Sequence, residues 1–195
     1  APVMTAALDK QVMETIILSA VRGMKQDGIP YKGILFAGLM ITNAGPKLIE
    51  FNCRFGDPET QVLLPRIEGD LAQLLLRAAT KGVAGEHITL KNESAVCVVM
   101  AANGYPGDYE KGSVIEGVEK ANDIEGVTVF HAGTRRGRNC GKLKADGGRV
   151  LGVTALAPTF EEARNRAYEA VDAIDWPQGF CRRDIGWRAA QSTTV

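Results

Sequence analysis

The chain has 195 residues, 45% of them hydrophobic, and its 23 Lys and Arg balance its 23 Asp and Glu. That balance leaves no basic footprint for nucleic acid, and no stretch approaches the ~20 consecutive apolar residues of a membrane-spanning helix. The length allows one or two domains with a buried core. Cysteines stand at 53, 97, 140 and 181 without a C-x-x-C pair, and only His87 and His131 could join them, so no zinc site is expected. Cys53 and Cys97 lie in apolar, strand-like runs and read as buried thiols of a reducing compartment. No secretory signal is visible, and the expected location is cytoplasmic.

Over residues 8–26, Val12, Met13, Ile16, Ile17, Ala20, Val21 and Met24 recur at helical spacing, and Asp27-Gly28 with Pro30 ends the pattern. Residues 32–41 and 46–55 read as two strands joined by Asn43-Ala44-Gly45. Within the second strand, alternation puts Glu50, Asn52 and Arg54 on one face and Ile49, Phe51, Cys53 and Phe55 on the other, where they can bury. A carboxylate, an amide oxygen and a guanidinium at this spacing suit Mg²⁺ and the phosphate it carries. An ion pair between Glu50 and Arg54 on a solvated face is the plain alternative, and it leaves Asn52 and the following turn unexplained. Gly56-Asp57-Pro58-Glu59 then turns into a helix, with Asp57 as its expected N-cap and Pro58 at the first helical position. The free N–H groups of that helix start would point towards the same region.

Residues 58–80 are largely helical, with Val62, Leu63, Ile67, Leu71, Leu74, Leu75 and Ala78 as the apolar stripe and Pro65 as a break. Residues 81–86 are a small, polar linker, which divides the chain into a unit over 1–86 and a second over 92–195. In the second unit, 94–102 is an apolar run suited to a buried strand, and 103–112 is a loop with a turn at Tyr105-Pro106-Gly107-Asp108. Further strands are expected at 113–116, 128–132 and 149–155. A helix is expected over 159–174, with Thr159 as cap and Glu162 placed for a capping box. The second unit is therefore α+β, and residues 191–195 form a polar tail.

Taken as blocks, IEFNCRFGDPETQ (49–61), YKGILFAGLM (31–40), GPK (45–47), VVMAANGYPGDYEKG (98–112), VFHAGT (129–134), GGRVLGVTA (147–155) and CRRDIGWRA (181–189) occur in the order seen in one family. With APVMT at the start, they give the chain a resemblance to the glycinamide ribonucleotide synthetases, the phosphoribosylamine–glycine ligases of the ATP-grasp superfamily. The resemblance runs over essentially the whole chain and matches the C-terminal portion of such enzymes. It implies the C-terminal part of an ATP-grasp domain, antiparallel strands plus helices, followed by a small mixed C-terminal domain. It also implies ATP-dependent joining of glycine to 5-phosphoribosylamine, giving glycinamide ribonucleotide, ADP and phosphate through glycyl phosphate.

By the same resemblance, Glu50 and Asn52 hold Mg²⁺ or Mn²⁺, Arg54 steadies the transferred phosphoryl group, and Gly56, Asp57 and Pro58 approach substrate. Asp57 is either a ligand for a substrate amine or a plain helix cap, or both. Many ATP-grasp enzymes carry another metal-binding carboxylate on the preceding strand, and Phe36-Ala37-Gly38-Leu39-Met40 has none. The family's nucleotide-binding-like domain, ATP-covering loop and most of its adenine pocket have no counterpart in these residues. The N-terminal portion of the same enzyme is thus an expected partner, the chain alone is expected to be inactive, and apolar surface is expected over 8–26 and 32–55. His131 reads more simply as a hydrogen-bonded strand residue than as an acid–base group. Gly147-Gly148 reads as a turn, with nucleotide or substrate contact by Arg149 as the alternative, and Arg182, Arg183 and Asp184 as an interdomain ion cluster. Two other functions compete: an ATP-grasp ligase with a different acid and amine, and a non-catalytic assembly module.

Overall fold

The computed structural model describes residues 4–137 and 141–192, so residues 1–3, residues 138–140 with Cys140, and residues 193–195 of the expected tail lie outside the description, while residues 191–192 of that tail belong to the last helix. The chain divides into two compact units, Ala1–Asp57 with Ile67–Thr89, and Pro58–Arg66 with Leu90–Val195. Each combines helices with antiparallel pairing or short extended segments, and the fold class is α+β.

The first unit opens on α1 (Ala6–Val12), capped by Thr5, whose hydroxyl accepts from the Leu8 N–H at 3.2 Å. A π-turn over Met13–Ile17 follows, then α2 (Leu18–Gln26). The Ser19 hydroxyl donates to the Glu14 carbonyl, five residues back, at 3.2 Å, which matches the wider turn. β1 (Phe36–Thr42) and β2 (Gly45–Asn52) form an antiparallel hairpin in which Thr42 faces Gly45. Gly45 sits at φ +94°, a conformation that its missing Cβ makes accessible.

Both strands are shorter than the sequence suggests. β1 starts at Phe36 rather than 32, and β2 ends at Asn52 rather than 55, with a bend at Cys53 and Arg54. Gly38 pairs with Glu50 and Leu39 with Leu48, so Ile49 is the extra residue of a β-bulge. The bulge breaks the strict alternation, and Ile49 is 64% exposed instead of buried. Cys53, past the strand's end, is exposed as well, contrary to its expected burial. Met13, Met40, Ile41 and Leu48 are also exposed, and Val12 is the one buried side chain among the described residues of this unit.

Between the two parts of the first unit, the chain contributes α3 (Glu59–Leu63) and a 3₁₀ turn over Leu64–Arg66 to the second. Pro65 shapes this turn, since its ring excludes an ordinary helix interior. The chain then returns to the first unit with α4 (Leu71–Thr80), where Asp70 accepts from the Gln73 N–H at 2.9 Å.

The second unit is built on a four-stranded antiparallel sheet of β3 (Ser94–Ala102), β4 (Val127–His131), β7 (Arg149–Ala157) and β8 (Gly179–Cys181), in the order β4-β7-β3-β8. β3 and β7 occupy the centre, which is why their sequences are nearly continuous apolar runs. One face carries Val96, Val98, Met100, Val129, Leu151, Val153 and Ala155 under α6 (Phe160–Asp172). Ala163, Ala167 and Ala170 are fully buried, and their small side chains let that helix lie close to the sheet. Thr159 caps α6 by accepting from the Glu162 N–H at 3.2 Å. The other face carries Cys97, Val99, Gly152 and Thr154, and α3 packs on β3 and β7.

Five elements went unread in the sequence: α5 (Val118–Asn122), β5 (Thr134–Arg136) and β6 (Leu143–Ala145), which form a hairpin, β8, and α7 (Trp187–Ser192). The strand expected over 113–116 is instead two isolated bridges, Val114 to Lys144 and Glu116 to Asp175. The charged cluster near the end is also internal to this unit rather than interdomain. Arg182 donates to both oxygens of Asp184, at 2.9 and 2.7 Å, and Arg183 meets Asp172 at 2.7 Å. The Arg182 hydrogen bonds hold the Asp184 carboxyl below the usual carboxylate range.

Candidate functional site

Period-two geometry at the end of β2 brings the first pair of candidate residues together. Asn52 Nδ2 donates to Glu50 Oε1 at 3.0 Å, so the carboxylate and the amide lie side by side on one face of the strand. With its nitrogen turned to Glu50, the amide keeps Oδ1 as an acceptor, and the pair presents oxygen donors. The donor chemistry fits a hard divalent cation. Among the described residues no group of three or more His, Cys, Asp or Glu is arranged to hold a metal, so water or ligand oxygens would complete any shell here.

Glycine 38 is a site residue that sequence reasoning missed. It stands directly opposite Glu50, and a Cβ at this position would come within 3.2 Å of Glu50 Cγ. The signal was present, because a glycine inside a strand marks a close approach. Its meaning depended on the partner strand's register.

Arg54 lies beyond the strand, in the bend, where its Nη1 donates to the Phe55 carbonyl at 2.8 Å. Its position two residues after Asn52 is therefore set by the bend rather than by the pleat. Gly56 is buried and Asp57 exposed, and each makes further polar contacts. Asp57 is not the helix cap: Pro58, at φ −96° and ψ 20°, occupies the cap position without a side-chain bond, and Glu59 is the first helical residue. The helix therefore begins one residue later than the sequence suggests. α3 has only five residues, so its start offers little dipole.

Tyr31 is a second missed neighbour. Its hydroxyl donates to the Ile34 carbonyl at 2.6 Å, and burial together with the Cys53 thiol beside it raises its pKa. Cys53 is exposed between Asn52 and Arg54, whereas Cys97 and Cys181 are partly covered. Burial pushes the Cys181 thiol up, with a smaller opposing pull from Arg183. Cys53 is accordingly expected to react with iodoacetamide at neutral pH well before Cys97 and Cys181, as peptide mass mapping would register. Equal labelling of the three would contradict this exposure order.

The remaining candidates lie in the second unit. His131 ends β4, with Nδ1 3.1 Å from Thr134 Oγ1, as expected of a hydrogen-bonded strand residue. A Cβ on Gly148 would collide with the rings of Tyr105 and Tyr109, and Gly133 packs backbone to backbone on Gly147. This glycine pair is thus required for close packing. Arg149 is exposed and has polar contacts of its own. A cavity of about 710 Å³ lined by Asn103, Glu110, Lys111, Ser113 and Gln178 includes none of the candidate residues.

Comparison with known proteins places these features in a family. The phosphoribosylglycinamide synthetase ATP-grasp (A) domain matches residues 1–60, and the C domain of the same synthetase matches residues 95–188. A phosphoribosylamine–glycine ligase of Mesorhizobium japonicum is 58% identical over 97% of this chain and 44% of its own length. The chloroplastic phosphoribosylamine–glycine ligase of Arabidopsis thaliana is 54% identical over all of this chain and 37% of its own length. The crystal structure of a phosphoribosylamine–glycine ligase from Thermotoga maritima superimposes with a TM-score of 0.80 at 33% identity, covering 94% of this chain and 44% of that one. The chain therefore spans less than half the length of these relatives. None of the helices among the described residues is long and apolar enough to cross a membrane. With both domain matches in order and a shared fold along nearly the whole chain, the protein belongs to the phosphoribosylglycinamide synthetase family of ATP-grasp ligases.

Proposed function

We propose that this chain supplies the metal- and phosphate-facing part of an ATP-dependent ligase that joins glycine to 5-phosphoribosylamine. The observation that carries the proposal is the pairing of Glu50 with Asn52, whose Nδ2 donates to Glu50 Oε1 at 3.0 Å, immediately before Arg54 and the Gly56-Asp57-Pro58 turn. A polypeptide 58% identical to a named phosphoribosylamine–glycine ligase favours this chemistry over an ATP-grasp ligase for another acid and amine.

Glu50 and Asn52 would hold Mg²⁺ or Mn²⁺, which when bound supplies charge neutralisation for phosphate oxygens of ATP. Glycine's carboxylate oxygen attacks the γ-phosphorus, the bond to the β-phosphate oxygen breaks, and ADP leaves. The product is glycyl phosphate. The amine of 5-phosphoribosylamine then attacks its carbonyl carbon, the carbon–oxygen bond to phosphate breaks, and the nitrogen loses a proton. Arg54 contributes a planar, permanently charged donor set suited to the transferred phosphoryl group and its acyl phosphate. Gly56, Asp57 and Pro58 orient the acid or amine, Asp57 through its carboxylate. Rate enhancement in this scheme comes from positioning and charge stabilisation, without a covalent protein nucleophile.

The test is glycine-dependent phosphate release from ATP with Mg²⁺, phosphoribosylamine being generated in place from ribose 5-phosphate and ammonia. The chain is assayed alone and together with the N-terminal portion of a family ligase. Activity in the mixture and none in the chain alone is the expected result. Failure of the mixture, with association of the parts demonstrated, would favour a non-catalytic assembly module.

A further inference from the structure

Gly152 lies in the middle of the central strand β7, between Val99 and Phe130 on its neighbours, and it is buried. A glycine there weakens a strand unless something must come close to it. What lies over it is Gln61 of α3, in ordinary contact: a Cβ at Gly152 would lie 3.4 Å from Cys97 Sγ, 3.5 Å from Gln61 Cγ and 3.8 Å from its Nε2, and a larger side chain would meet Gln61. Gly152 is not among the glycines with positive φ, so the space it leaves, and not a special conformation, is what distinguishes it. Gln61 also reaches back along the chain, its backbone N–H donating to the Pro58 carbonyl at 3.2 Å. Pro58 is the last residue of the turn assigned above to substrate.

We propose that Gln61, seated over Gly152, is a positioning residue for the Gly56-Asp57-Pro58 turn. Its side chain fixes α3 to the sheet of the second unit, and its backbone fixes Pro58. The role in catalysis rests on the ligase reading, whereas the seating itself does not. The consequence is a division of labour. Glu50 and Asn52, on β2, set metal and nucleotide affinity, and the sheet beneath Gln61 sets the affinity for the substrate that meets the turn.

The test compares Gln61→Ala, Gly152→Ala and Gly152→Val. Hydrogen exchange of the 59–63 amides is measured on this chain, and KM values on its mixture with the N-terminal portion. An alanine at Gly152 makes ordinary contacts and is expected to exchange like the wild type. Gly152→Val and Gln61→Ala are expected to speed exchange of the 59–63 amides about tenfold, with the β3 amides unchanged. The same two variants are expected to raise KM for glycine or phosphoribosylamine about tenfold, with KM for Mg·ATP unchanged. Should Gly152→Val fail to fold, Gln61→Ala decides alone, since its side chain is only half-buried. Unaltered exchange at 59–63 would overturn the seating. Faster exchange with both KM values moving together would overturn the positioning role. Absence of ligase activity in the wild-type mixture would remove the ligase reading and leave the exchange result to judge the seating.

Discussion

Glu50→Ala is expected to lower kcat/KM of the assembled ligase by about three orders of magnitude, roughly 4 kcal/mol of transition-state stabilisation. Glu50 supplies the only carboxylate of the oxygen pair at the end of β2, and Asn52 alone offers a neutral donor. Loss of one negative charge from a divalent site weakens metal binding and, through it, the nucleotide's phosphate orientation. Glu50→Gln should fall between, because an amide oxygen remains. Gly38→Ala offers a gentler perturbation of the same carboxylate, since the added Cβ comes within 3.2 Å of Glu50 Cγ. Driving that side chain off its rotamer costs about 0.5–1.5 kcal/mol, so a loss of roughly threefold to tenfold is expected. Glu50 is exposed, and its replacement should leave the melting temperature nearly unchanged. Initial rates across a Mg²⁺ titration make the measurement. Rates for Glu50→Ala within about threefold of wild type at all metal concentrations would sink the metal assignment.

Where a signal is local, the sequence carried it through to the structure. Strand 94–102 needs only its own apolar run, and the start of α6 needs only Thr159 with Glu162 three residues on. The pairing of Glu50 with Asn52 is likewise local, because period two alone puts them on one face. Signals that depend on a partner were illegible. The bulge at Ile49 exists only in the register of β2 against Gly38 and Leu39, and it turned an expected core residue outward. The exposure of Cys53 follows from where pairing stops. Gly38 and Gly152 each read as weak points of a strand until the side chains opposite or above them, Glu50 and Gln61, are known. The β5–β6 hairpin, with Arg135 opposite Lys144, goes against strand propensity and is held by its ladder and neighbours.

Leu151→Ala should be the most destabilising of the simple truncations, at about 3–4 kcal/mol, because it removes buried apolar volume and leaves a cavity. Leu151 is 1% exposed on the central strand β7, with Met100 opposite on β3 and His131 opposite on β4. Neighbours on both sides and a helix above restrict collapse into the space. Val12 apart, the buried hydrophobic side chains among the described residues all belong to the second unit, so this unit's packing is where truncation is costly. A loss of this size is a large part of the ~5–15 kcal/mol that stabilises a typical domain. It corresponds to a fall of about 12–16 °C in the melting transition of the second unit. Ile49→Ala provides the contrast: an equally apolar residue, 64% exposed on the bulge, should shift stability by no more than about 0.5 kcal/mol. Urea unfolding separates the two, followed by the fluorescence of buried Trp176 for the second unit and by far-ultraviolet circular dichroism for the unit that holds Ile49. If Leu151→Ala lowered stability by less than about 1 kcal/mol, or Ile49→Ala by as much, burial would not be what holds the sheet and α6 together.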